Sequence, residues 1–157
     1  MKKPSYRGIV APVMLPASLH NRSIFVGLIL HIGVMGGAWA AVGALIPRMI
    51  RDLGWDYTDA GLILAAGAAS FVLMTTVVGF VIPVIGIRVT VAVGLALEVV
   101  GLMLFAESPN VVSAAMIYAL LSAGGAVMEV CGNDLVVSME KKGRGQLMNL
   151  VHSGFAL

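Results

Sequence analysis

Four stretches of this chain are each long and apolar enough to approach or match the thickness of a lipid bilayer, and nothing else in the sequence constrains its fold so strongly. A helix needs about 20 predominantly apolar residues to cross a hydrocarbon core of roughly 30 Å. Residues 24–46, 60–82, 89–106 and 111–139 meet or come near that length, and a further apolar stretch starts near Leu147. Inside a bilayer every backbone N–H and C=O must be satisfied by the segment itself or by a closed sheet. The runs are continuous rather than alternating over about ten residues, which argues for helices and against a barrel. The expected fold is therefore an all-α integral membrane protein with four transmembrane helices and the start of a fifth.

The composition agrees. Of the residues, 59% are hydrophobic and 11% charged, whereas a soluble domain carries about 25% charged residues. A net charge of +2 spread over loops offers no basic face for nucleic acid. Cys131 is the only cysteine, so a disulfide framework or thiolate metal site within one chain is excluded. No metal-ligand pair stands at helical spacing and no cofactor is implied.

The polar residues between the spans fit helical hairpins. A polar loop is expected over 48–59, tight turns over 83–88 and 107–110, and a basic loop over 140–145. Asp59 is a candidate cap for the second helix, and Pro109-Asn110 a candidate start for the fourth. If the spans alternate, Lys2, Lys3, Arg7, Arg22, Arg88, Lys141, Lys142 and Arg144 fall on one side and only Arg48 and Arg51 on the other. The positive-inside rule then places the N-terminus in the cytoplasm of a multi-pass protein of the cell (inner or plasma) membrane. Residues 1–22 form a cytoplasmic lead and 23–157 a partial transmembrane domain; Pro12 breaks the run that a cleaved signal peptide would need.

Lipid provides no hydrophobic drive between helices, so small residues mark where they approach. Gly33 and Gly37 form such a pair in the first span, and Gly61, Ala65 and Ala69 a row in the second. In the fourth, Ser122, Gly125, Glu129 and Asn133 recur at three- and four-residue spacing and share one face. Ionisable residues at this depth are expensive and default to function. His31, Glu98 and Glu129 are the candidates, and taking a carboxyl out of water favours its protonated form, as a proton-coupled carrier requires. Each also has a structural reading: a hydrogen bond to a neighbouring helix for the acids, a backbone carbonyl partner for His31. Trp39 is either a binding-site ring or packing. Asp134, five residues after Glu129, points elsewhere and lies at the level of Arg88, so an Arg88–Asp134 ion pair is expected at the inner face.

The segment Gly79-Phe80-Val81-Ile82-Pro83-Val84-Ile85-Gly86-Ile87-Arg88 resembles the signature between helices two and three of the major facilitator superfamily, G-x-x-x-D-x-x-G-x-[RK], with Pro83 where that family has aspartate. Gly43-Ala44-Leu45-Ile46-Pro47 and Thr58-Asp59-Ala60-Gly61-Leu62 are similar to the fucose-permease-like sugar:proton symporters within it, as is Met148-Asn149-Leu150-Val151-His152-Ser153-Gly154-Phe155 at the start of helix five. Glu129-Val130-Cys131-Gly132-Asn133 resembles their helix-four E-T-A-A-N. The resemblance implies part of the N-terminal six-helix bundle of a twelve-helix carrier, with the remaining helices missing. It implies a small solute, sugar foremost, carried with protons. Glu129 takes the role of sugar and proton binding and Asn133 that of a sugar contact, while Gly79, Gly86, Arg88 and Asp134 belong to the cytoplasmic gate. The family's helix-one acid is matched here by Gly43. The competing expectation is a small four-helix protein acting as a homo-oligomer, or a truncated product that transports nothing. An enzyme is not expected: in His152-Ser153-Gly154 the adjacent side chains diverge around a helix and no base is placed to serve.

Overall fold

The computed structural model of the chain describes residues 19–105, 107–140 and 145–156. Among these residues five helices follow one another: α1 (Leu19–Leu53), α2 (Tyr57–Ile85), α3 (Ile87–Phe105), α4 (Val111–Met139) and the short α5 (Gln146–Ser153), which closes in a 3₁₀ turn, Gly154–Ala156. Four of them are long and apolar enough to cross a membrane, so the protein is a multi-pass, all-α membrane protein.

Local chemistry explains where the helices start and stop. Asp56, not the expected Asp59, is the N-cap of α2. Its carboxylate accepts from Asp59 N–H at 2.8 Å, while Asp59 accepts from Asp56 N–H at 3.1 Å, a reciprocal capping box. Asn110 and Ser113 do the same for α4. The expected turn over 83–88 contracts to one residue, Gly86, at φ +82°, a backbone state that costs glycine little. Pro83 lies inside the last turn of α2 rather than outside it.

The loop expected over 48–59 contracts likewise, because α1 continues through Pro47 to Leu53. Proline forfeits one helical hydrogen bond, yet the turns beyond it have partners. Met49 packs against the cluster of Val42, Ile63, Phe105, Tyr118 and Leu121. Arg48 and Asp52 pair one turn apart at 3.1 Å.

The centre of the bundle is α4, buried continuously from Leu121 to Met128. α2 and α3 pack along it, and α1 joins it beside α5 through Phe25, Leu28, Ile32, Met35, Val136 and Val151. The outside is as apolar as the inside: Val78 is 1% exposed and Phe80, two residues on, is 75% exposed. Water tolerates few such contiguous surfaces; lipid suits them.

Between α3 and α4 the backbones nearly touch. A Cβ added to Gly124 would lie 2.7 Å from Glu98 N and 2.8 Å from Gly94 O, and one on Gly101 would lie 2.8 Å from Leu121 Cα. On α2, a Cβ at Gly67 would lie 2.5 Å from the Tyr118 ring, and Ser70 donates to Ala119 O across the same seam at 2.7 Å. The row expected to pack on α2 is therefore displaced: Gly61, Ala65 and Ala69 are exposed, and Ile63 and Gly67 face α4. On α1 the packed pair is Gly33 and Gly36, which meet Gly154 O and Phe155; nothing lies within 4 Å of a Cβ at Gly37.

Candidate functional site

Two titratable side chains meet at membrane depth. His31 on α1 places Nε2 3.7 Å from Glu98 Oε1 on α3, and both side chains are largely buried. His31 Nε2 is shielded from solvent and makes no hydrogen bond; the backbone-carbonyl partner expected of a lone helical histidine is not found at that nitrogen. The meeting depends on α4 presenting no side chain there. Glu98 N abuts Gly124, and a Cβ at Gly125 would come within 3.5 Å of Glu98 Oε1. Gly94, Glu98 and Gly101 follow one another at i, i+4 and i+7, so one face of α3 carries both glycines and the acid.

Along the same side, a groove of about 610 Å³ separates α1 from α3 over a floor of α4. Ile24, Leu28, His31, Arg88, Val91 and Met128 are among its walls. Arg88 is exposed at its end, where α3 begins, and Asp134 is exposed on α4. No ion pair joins them, contrary to the expected inner-face bridge. Equal depth in the membrane did not imply proximity: Arg88 turns to the α1 side of its helix, whereas Asp134 lies outward.

The fourth-helix stripe is divided among neighbours. Ser122 is buried against α2 near Gly67, and Gly125 against Met35 and Glu98. Glu129 is half-buried and makes no hydrogen bond or ion pair among the described residues. Asn133 Oδ1 lies 3.1 Å from His152 Nε2, tying α4 to α5.

Trp39 stands edge-on to Phe71 of α2 at 5.5 Å and to Phe155 at 6.0 Å between ring centroids. It also lines a second groove, of about 310 Å³, with Phe71, Tyr118 and Ser122. Of the gate motif, Gly79 is exposed with nothing within 4 Å of its Cβ position, and Gly86 makes the α2–α3 turn.

Sequence reasoning named His31 and Glu98 separately and missed their meeting. The glycines at 94 and 101 flanking Glu98 at helical spacing were the available signal. His152 entered only through an enzyme motif and the helix-five resemblance, and its bond to Asn133 had no signal in either segment alone. Of the ten basic residues in the orientation argument, Lys2, Lys3, Arg7, Lys141, Lys142 and Arg144 lie outside the described residues. Arg22 and Arg88 sit at one end of the bundle, and Arg48 and Arg51 at the other.

These features define a multi-pass helical membrane protein with an ionisable pair inside the bundle. No protein-family model, no curated protein and no solved structure matches the chain.

Proposed function

We propose that the chain is part of a secondary carrier of the major facilitator kind that moves a small solute across the cell membrane, with sugar as the leading solute class and protons as the coupling ion. One observation carries this reading. The groove between α1, α2 and α4 is lined by Trp39, Phe71, Tyr118 and Ser122, and Glu129 lies two turns beyond Ser122 on α4, half-buried and without a polar partner among the described residues. Aromatic faces beside hydroxyl groups, with a carboxyl two turns further along α4, suit a ligand that is apolar on one face and hydroxylated at its edges. Pockets that bind small molecules combine apolar and aromatic walls with a few placed polar groups in this way. An acid at membrane depth is itself a mark of a transport pathway. The similarity of 129–133 to the helix-four motif of sugar:proton symporters supports the same assignment, as does the N-terminus-in orientation favoured by the basic residues.

The test uses the native gene product, its size fixed with an N-terminal tag, reconstituted in liposomes with labelled hexoses under an imposed pH gradient. Gradient-driven uptake is expected in the wild type. In Glu129→Gln it should fall about tenfold or more, the scale of losing one charge-assisted hydrogen bond. A native product that neither accumulates nor exchanges any hexose, at any pH gradient, rules the sugar:proton reading out.

A further inference from the structure

We propose that His31 and Glu98 hold one proton between them and form the site where this protein exchanges a proton with water entering the groove between α1 and α3. The inference deepens the carrier reading by naming its proton site, but the pairing itself rests on geometry alone.

Nε2 and Oε1 are 3.7 Å apart, close enough to share a proton after a sub-ångström approach, and neither atom has a hydrogen-bond partner among the described residues. With one proton the pair is neutral overall, either as imidazole and carboxylic acid or as imidazolium and carboxylate. With two it carries +1 and with none −1, and a net charge at this depth is strongly disfavoured. The buried pair therefore keeps one proton and gains or loses it only when water reaches it. The proton would pass from Nε2 or Oε1 to that water and return by the same route; no other bond changes.

The groove provides the route. The backbones of α1 and α3 do not come into contact, and the His31–Glu98 meeting is a polar link between them among the described residues. Widening the groove breaks that link and wets the pair, so proton exchange is tied to movement of α1 relative to α3. The surrounding charges do not compete for it. Arg88, ten residues before Glu98 on α3, lines the far end of the groove. On α4 the residues against the pair are Gly124 and Gly125, with Met128 on the groove floor. The titratable groups of that helix, Tyr118, Glu129, Cys131 and Asp134, make no bond to His31 or Glu98. On α1, Arg22 precedes His31 by nine residues and Arg48 follows by seventeen, and on α5 His152 is engaged by Asn133.

The test is an infrared pH titration of the full chain in lipid bilayers, read at the carboxylic-acid carbonyl band. A band that disappears in Glu98→Gln identifies the Glu98 acid. In His31→Gln its proton affinity should shift by about tenfold or more, the size of a close charge partner's effect, and the exchanged pair His31→Glu with Glu98→His should restore a shared titration. Protection of buried Cys131 from a thiol reagent verifies that each variant is folded. A Glu98 midpoint that is the same with and without His31 overturns the proposal. In the reconstituted native product, Glu98→Gln should lose pH-driven accumulation; unchanged accumulation also overturns the proposal. Absence of any uptake in the wild type would sink the carrier reading alone, because the titration judges the pair independently.

Discussion

Replacing Gly124 by alanine should separate α3 from α4 and, with them, His31 from Glu98. The new Cβ would sit 2.7 Å from Glu98 N and 2.8 Å from Gly94 O, both backbone atoms that no rotamer change can move. Ordinary contact begins at 3.4 Å, so α3 must retreat by about 0.7 Å along the seam. Forcing a methyl into a filled site costs about 1–3 kcal/mol. Alanine also gains about 0.5–1 kcal/mol over glycine within a helix, so a control with free space is needed. Gly61→Ala is that control, since nothing lies within 4 Å of its Cβ. The difference between the two variants should be about 1–3 kcal/mol, or roughly 5- to 150-fold in the folded-to-unfolded ratio. Reversible unfolding in mixed micelles, followed by steric trapping or by fluorescence of Trp39 and Trp55, measures it. Equal stabilities for Gly124→Ala and Gly61→Ala would refute the close crossing. A Gly124→Ala protein that is destabilised but keeps its His31–Glu98 titration would show that the seam does not position the pair.

Other outcomes follow from the same packing. Ser70→Ala removes the hydroxyl that donates to Ala119 O and should cost about 0.6 kcal/mol, the mean for interhelical hydrogen bonds in membranes, in the same unfolding assay. Asn110→Ala removes the side-chain half of the α4 capping box, the acceptor of Ser113 N–H, and should cost about 1 kcal/mol, with Asn110→Asp recovering most of it. Cys131 is fully buried, so a membrane-permeant maleimide should label it only after denaturation; rapid labelling of the folded protein would displace α4 from the bundle centre. His152→Ala should loosen α5 from α4 through loss of the 3.1 Å contact to Asn133, seen as faster amide exchange over 146–153 with the rest of the bundle unchanged.

The sequence determined that the chain is a helical membrane protein and very nearly where its spans lie. Hydropathy reports the cost of moving each segment from water to lipid, a local sum that needs no knowledge of neighbours. The expected fourth span and α4 share the bounds 111–139, because Asn110 and Ser113 close a capping box within four residues of sequence. The ends that differed were those where a local signal was outweighed. Pro47 reads as a stop, but Met49 and the Arg48–Asp52 pair carry α1 to Leu53. What only the tertiary structure decided was which face of each apolar helix turns inward. In lipid, a leucine facing a neighbour and one facing the acyl chains differ little in transfer energy, so an all-round apolar helix such as α2 carries almost no record of its buried side. The expected Gly61-Ala65-Ala69 row faces outward, because Tyr118 and Ala119 on α4 meet Gly67 and Ser70 instead. The same holds for the candidate proton site. His31 and Glu98 were each visible as polar residues at membrane depth, but their meeting depends on glycines of α3 and α4 that let two backbones approach, an arrangement that exists only when the helices are assembled.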